Sequence, residues 1–223
     1  MNVLVVEDDD GVREVMTDLF ADSAHVRPVQ SVADALAALD AESFDLIFAD
    51  LRIRGTSDGG KQMVAAARRF LSPVVIMTGL QREEMRRMLG GLVPDGMLLK
   101  PFAIEEALAV FNRFSKLRHE VETLGRLASE ATDWRPVTAS LRMSGKDADA
   151  HTGKRLLEWT AGAAEEVRTF PTGQVGRVLR GKISIDGQGI ETGRPFFLSA
   201  EQPYAIGSVE GAVVALVSLP EAR

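Results

Sequence analysis

Over its first hundred residues the chain alternates short apolar runs with segments of helical period, and no other feature narrows the fold so far. The runs fall at residues 3–6, 26–29, 46–49, 74–77 and 97–99. Each is short for a helix and, apart from the Arg27-Pro28 pair in the second, apolar, as a strand buried on both faces must be. Between them lie amphipathic stretches such as 31–41, where Ser31 offers an N-cap and Asp34 a first-turn carboxylate. Strands that alternate with such helices build a parallel sheet with crossover helices on its faces. The expectation is five β/α units in the first domain.

From Ile104 the apolar residues Ala107, Val110, Phe114, Leu117, Val121, Leu124 and Ala128 follow one another at three and four positions, a heptad seam. The helix predicted over 104–131 is longer than one sheet needs. Its inner half reads as the core face of the last helix of the first domain. Val121, Leu124 and Ala128 need another cover, and the expectation is a second copy, giving a homodimer through this helix; docking on the second domain is the alternative. Asp133 and Pro136 discourage further helix, which places the linker there. The expected boundaries are 1–118 for the first domain, 119–135 for the helix extension and linker, and 136–223 for the second.

Beyond Pro136 the texture changes to β-prone segments punctuated by Gly and Pro, at 137–143, 155–159, 166–170, 175–179, 182–185, 195–198, 204–206 and 212–219. Roughly eight strands so spaced suggest an all-β sandwich or small barrel. A length of 223 residues suits two domains, each able to bury its own core. The chain carries a net charge of −6 and no cysteine, so it has no overall field for DNA or anionic lipid and no thiol chemistry. Carboxylates at 7–10 interrupt the apolar start, and no run approaches the length of a membrane span. The expectation is a cytoplasmic protein without a membrane partner.

In an open α/β sheet, function collects beyond the carboxyl ends of the strands. Here that rule selects Glu7 and Asp8 after the first strand, Asp50 at the end of the third, Thr78 at the end of the fourth and Lys100, followed by Pro101, after the fifth. With strand order 2-1-3-4-5 these side chains converge on one edge. Three carboxylates brought together need a cation, and oxygen-only donors with open positions suit Mg²⁺. A central carboxylate beside that ion can attack a phosphoryl donor, because this transfer is mostly positioning plus charge neutralisation. Asp50 is then the nucleophile, Lys100 a point charge for one phosphoryl oxygen, and the Thr78 hydroxyl a hydrogen-bond donor to another.

The segments VLVVEDD at 3–9, FDLIFADLR at 44–52, PVVIMTG at 73–79 and LLKPF at 98–102 resemble the signature segments of response regulator receiver domains. The likeness covers about residues 1–118 and implies a flavodoxin-like doubly wound five-stranded sheet. It also implies that the backbone carbonyl of Arg52 joins Glu7, Asp8 and Asp50 around Mg²⁺, and that a cognate histidine kinase phosphorylates Asp50 in a two-component phosphorelay. The chain is then a phosphoacceptor with self-catalysed transfer rather than an enzyme. Two departures stand out: Met97 occupies the place of the family's aromatic switch residue, and the loop after Asp50 lacks the usual proline and is one residue longer.

The C-terminal stretch shows none of the paired helical periods and basic segment of a helix-turn-helix, so direct DNA binding is not expected. Its glycine spacing and strand rhythm over 137–219 resemble the cupin small barrel. That family's metal positions hold Arg168, Phe170, Gln174 and Tyr204 here, and His151 alone is a poor transition-metal site. Phe170, Trp159 and Tyr204 read as core, and Arg177, Arg180 and Lys182 as a solvated face rather than an anion site. The expected output is a non-metal barrel that binds an unknown downstream protein or small ligand. A DNA-binding transcription regulator and a metal-dependent cupin enzyme are the competing readings.

Overall fold

The structure, a computed structural model, describes residues 1–127, 133–144 and 153–220. It divides into two compact units, Met1–Ser115 and Lys116–Arg223.

The first unit is a five-stranded parallel sheet of order β2-β1-β3-β4-β5, built from β1 (Asn2–Val6), β2 (His25–Val29), β3 (Leu46–Asp50), β4 (Val74–Thr78) and β5 (Gly96–Leu99). The helices α1 (Asp10–Ala21), α2 (Val32–Ala41), α3 (Gly59–Arg69), α4 (Arg82–Met88) and the start of α5 (Ile104–Leu127) alternate with the strands. This is the flavodoxin-like doubly wound arrangement the apolar rhythm implies. The runs are apolar because both faces of the central strands are covered: Val3, Leu4, Val5, Val6, Leu46 and Ile47 are all fully buried. Ser31 caps α2 as its position suggests, accepting from the Asp34 amide at 3.1 Å. Phe20 stacks on Phe48 and on Phe111, with ring centroids 5.2 and 4.9 Å apart, and so ties α1 and the first half of α5 to the sheet.

The second unit is all-β apart from the later part of α5. Its strands are β6 (Trp134–Pro136), β7 (Leu141–Ser144), β8 (Lys154–Trp159), β9 (Ala163–Thr169), β10 (Gln174–Ile185), β11 (Gln188–Glu191), β12 (Pro195–Leu198), β13 (Pro203–Ser208) and β14 (Ala212–Ser218). They form a nine-stranded antiparallel system. The first part of β10 pairs with β12 and β14, and its last residues pair with β11 and β13. A register shift between Val178 and Arg180 marks where the strand bends. The two segments expected at 175–179 and 182–185 are therefore one strand. Of the segment expected at 137–143 only the end is strand, in β7; β6 precedes it, and the residues between form the tight connection.

The seam of α5 needs a correction. Leu117, Val121 and Leu124 are 5%, 1% and 4% exposed, and all three lie in the second unit. Gly125 shows why: a β-carbon there would come within 2.7 Å of the Leu179 side chain on β10. The apolar row is thus already covered by the chain's own β structure, and the face expected to seat a second copy is occupied. Ala128, the last residue of that row, lies outside the described residues. No described helix is long and apolar enough to cross a membrane.

Candidate functional site

The carboxyl edge of the first sheet carries the residues the sequence singles out. Asp50 ends β3 and pairs in register with Met77, while Thr78, next along β4, pairs with Leu99 of β5. Lys100 follows directly, and its amide donates to the Thr78 carbonyl at 2.7 Å. Parallel register alone therefore carries Asp50, Thr78 and Lys100 to one edge.

The acidic run after β1 divides by task. Asp9 caps α1, accepting from the Val12 amide at 3.0 Å. That hydrogen bond, ahead of a neighbouring amide and nearby cations, holds its carboxyl below the usual range. Asp10 pairs with Arg13 on the first turn of the helix. Glu7 and Asp8 remain, and their carboxylate oxygens and one of Asp50 lie within 4.8 Å of one another. An octahedral ion with bonds of ~2.1 Å separates adjacent ligand atoms by roughly 3 Å and opposite ones by roughly 4 Å. The cluster is of that size, offers oxygen alone, and so fits Mg²⁺.

Two cations face these carboxylates. Lys100 Nζ donates to Glu7 Oε2 at 2.6 Å and to Asp50 Oδ2 at 2.8 Å. Glu7 is buried, and burial pushes its carboxyl above the usual 4.5; the Lys100 hydrogen bond opposes the rise and the Asp50 charge adds to it. Burial pulls the Lys100 ammonium down, but its bonds to Asp50 and Glu7 outweigh that and hold it above 10.5. The second cation is Arg54, whose Nε lies 2.7 Å from Asp8 Oδ2. Nothing in the sequence pattern selects Arg54, because it sits in an irregular loop where neither strand nor helix period applies.

Thr78 is buried, and its Oγ1 accepts from the Leu80 amide at 3.0 Å, which leaves the hydroxyl proton as the group it can donate. The Arg52 amide donates to Asp50 Oδ1 at 3.1 Å and so fixes the carboxylate against the start of the loop. Met97 packs partly buried against the hydrophobic core of the sheet.

In the second unit, the residues at the four resembled metal positions are engaged with their own domain. Gln174, fully buried, donates to the Thr172 carbonyl at 2.7 Å and accepts from Ser218 Oγ at 2.9 Å. The Tyr204 hydroxyl accepts from the Ser199 amide at 2.9 Å, Arg168 pairs with Glu166 at 2.5 Å, and Phe170 is core. Trp159 is core as well. Arg177, Arg180 and Lys182 each face a glutamate, Glu122, Glu158 and Glu191, at 3.3, 3.3 and 3.6 Å. His151 lies outside the described residues.

The first unit is thus an α/β domain whose sheet, of order β2-β1-β3-β4-β5, carries at its carboxyl edge an acidic cluster bridged by one lysine. The family model described as the response regulator receiver domain matches residues 3–112. Over that stretch, just under half of the chain, the N-terminal unit is similar to the receiver domains of response regulators. Similar solved structures include the receiver domain of the Francisella response regulator 1452, at 24% identity over 52% of this chain and 96% of that one, with a TM-score of 0.46. The chemotaxis response regulator CheY4 of Vibrio cholerae is 24% identical over 51% of this chain and 97% of its own, with a TM-score of 0.46. NtrX from Brucella abortus, in complex with ATP, is 25% identical over 55% of this chain and 29% of its own, with a TM-score of 0.48. A search of curated proteins gave no match. The family match ends before the β unit.

Proposed function

We propose that Asp50 accepts a phosphoryl group from a cognate histidine kinase, with Mg²⁺ held by Glu7, Asp8, Asp50 and the Arg52 carbonyl. The observation that carries this reading is the Lys100 ammonium shared between Glu7 and Asp50 at the acidic cluster. When bound, Mg²⁺ supplies neutralisation of the carboxylates and of the phosphoryl oxygens. Asp50 Oδ attacks the phosphorus, an O–P bond forms as the P–N bond of the donor phosphohistidine breaks, and the imidazole leaves with its electron pair and takes up a proton. Lys100 then turns from Asp50 to a phosphoryl oxygen, and the Thr78 proton donates to another. On this reading the chain is a phosphoacceptor in a phosphorelay.

The working boundaries are 1–118 for the receiver, 119–135 for the helix extension and linker and 136–223 for the cupin-like β domain, which binds a downstream protein or small ligand in response. Its Arg177, Arg180 and Lys182 are paired with glutamates, which argues against an anion site or a DNA surface there. The test is incubation of full-length protein with labelled acetyl phosphate and Mg²⁺. Wild type acquires acid-stable, base-labile label and Asp50→Asn does not; equal labelling of Asp50→Asn overturns the assignment.

A further inference from the structure

Each of the two cations at the acidic edge has its own carboxylates: Lys100 holds Glu7 and Asp50, and Arg54 holds Asp8. The loop that presents Arg54 is built to do so. Ile53 is buried and wedged against Gly59, whose added β-carbon would lie 3.1 Å from the Ile53 side chain. The Thr56 amide donates back to the Ile53 carbonyl at 3.3 Å, closing a turn, and Gly55 follows Arg54 with φ of +80°, a conformation that favours glycine. Arg54 thus stands at the first corner of an anchored turn, with its guanidinium directed at Asp8.

A guanidinium and a divalent ion on one carboxylate lie close enough to repel strongly. Charge counting favours departure of the arginine. Three carboxylates and Lys100 leave a net charge of two negatives at the cluster, which one Mg²⁺ cancels without Arg54. The Arg54 side chain is 81% exposed, so it can swing into water, whereas Lys100 at 25% is held.

We infer that Arg54 is a resident cation on Asp8 that Mg²⁺ must displace, and that it thereby sets the Mg²⁺ concentration at which the site loads. This rests on the Mg²⁺ reading of the cluster given above. An exposed ion pair of this kind is weak, so its removal raises Mg²⁺ affinity about two- to fivefold.

The experiment is titration calorimetry of Mg²⁺ into full-length wild type, Arg54→Ala, Arg54→Gln and Arg54→Lys, with circular dichroism to check that each is folded. The expected result is a Kd lowered about two- to fivefold in the alanine and glutamine variants, with the lysine variant near wild type. Equal or weaker binding by a folded neutral variant overturns the role of Arg54 and leaves the Mg²⁺ site standing. Binding by neither wild type nor any variant overturns the Mg²⁺ site itself, and this inference with it.

Discussion

Lys100 Nζ donates to Glu7 Oε2 at 2.6 Å across 93 positions of sequence. The same ammonium bonds Asp50, so one cation offsets the repulsion of two carboxylates whose strands are neighbours in the sheet.

Lys100→Met is expected to destabilise the receiver by about 2–3 kcal/mol near neutral pH. The pH dependence follows from the shifts. Glu7 binds its proton more tightly folded than unfolded, so its ionisation lowers stability as pH rises above 4.5 through the raised value. Lys100 contributes fully below 10.5 and loses its contribution as pH rises from there through its own raised value. In wild type the lysine therefore offsets the cost of ionising Glu7; in the variant nothing does. Thermal melts followed by helical circular dichroism from about pH 5 to about pH 8 should show the gap between the proteins widening. A constant gap would mean that the bridge carries no electrostatic weight.

Gly60 faces the residue after Asp50. A β-carbon there would lie 2.8 Å from Leu51 Cα and 2.9 Å from its carbonyl oxygen, so Gly60→Ala must push α3 away from the end of β3. Overpacking of this kind costs about 1–3 kcal/mol. The measurable outcome is a lower urea midpoint for the receiver together with slower labelling of Asp50. Neither change would be seen if helix and strand end can separate freely.

Leu124→Asp tests the corrected reading of α5. With Leu124 at 4% exposure inside the second unit, the substitution buries an unpaired carboxylate and should destabilise that unit by about 3–5 kcal/mol. Trp134 and Trp159, both in this unit, report its unfolding by fluorescence. An unchanged fluorescence midpoint with an altered mass by light scattering would restore the intermolecular seam.

Gly181 and Gly187 share a φ of +76° but differ in surroundings. A β-carbon at Gly181 would stand 2.0 Å from the Gly211 carbonyl oxygen, while at Gly187 it meets nothing within 4 Å. Gly187→Ala is expected to cost only the left-handed penalty of roughly 1–2 kcal/mol. Gly181→Ala adds a backbone clash and should leave the second unit largely unfolded. Equal costs, read by tryptophan fluorescence in urea, would refute the distinction.

The candidate site is legible where its residues follow regular structure. Glu7, Asp8, Asp50, Thr78 and Lys100 all sit at strand ends, so the apolar rhythm that locates the strands locates them too. Arg54 was not readable, because its position depends on the turn closed by Ile53 and Thr56. In the second domain Gly181 reads as a strand break, yet it lies inside β10, tolerated there by its positive φ beside Gly211. The missed β11 had a signal in Asp186-Gly187, a pair with positive φ at both positions that closes the β10–β11 hairpin. The seam of α5 misled because periodicity reports that a face is covered, not by what.

β10 is the hub of the second sheet system, since β11, β12, β13 and β14 all pair with it. None of these four can leave without stripping hydrogen bonds from β10, whereas β6, β7 and β8 reach it only through β14, and β9 only through β13. β10 to β14 then open as one cooperative block, and the β10 amides should exchange their hydrogens only at the rate of that block's complete unfolding. A ligand or partner that grips any one of these strands is accordingly felt by all of them.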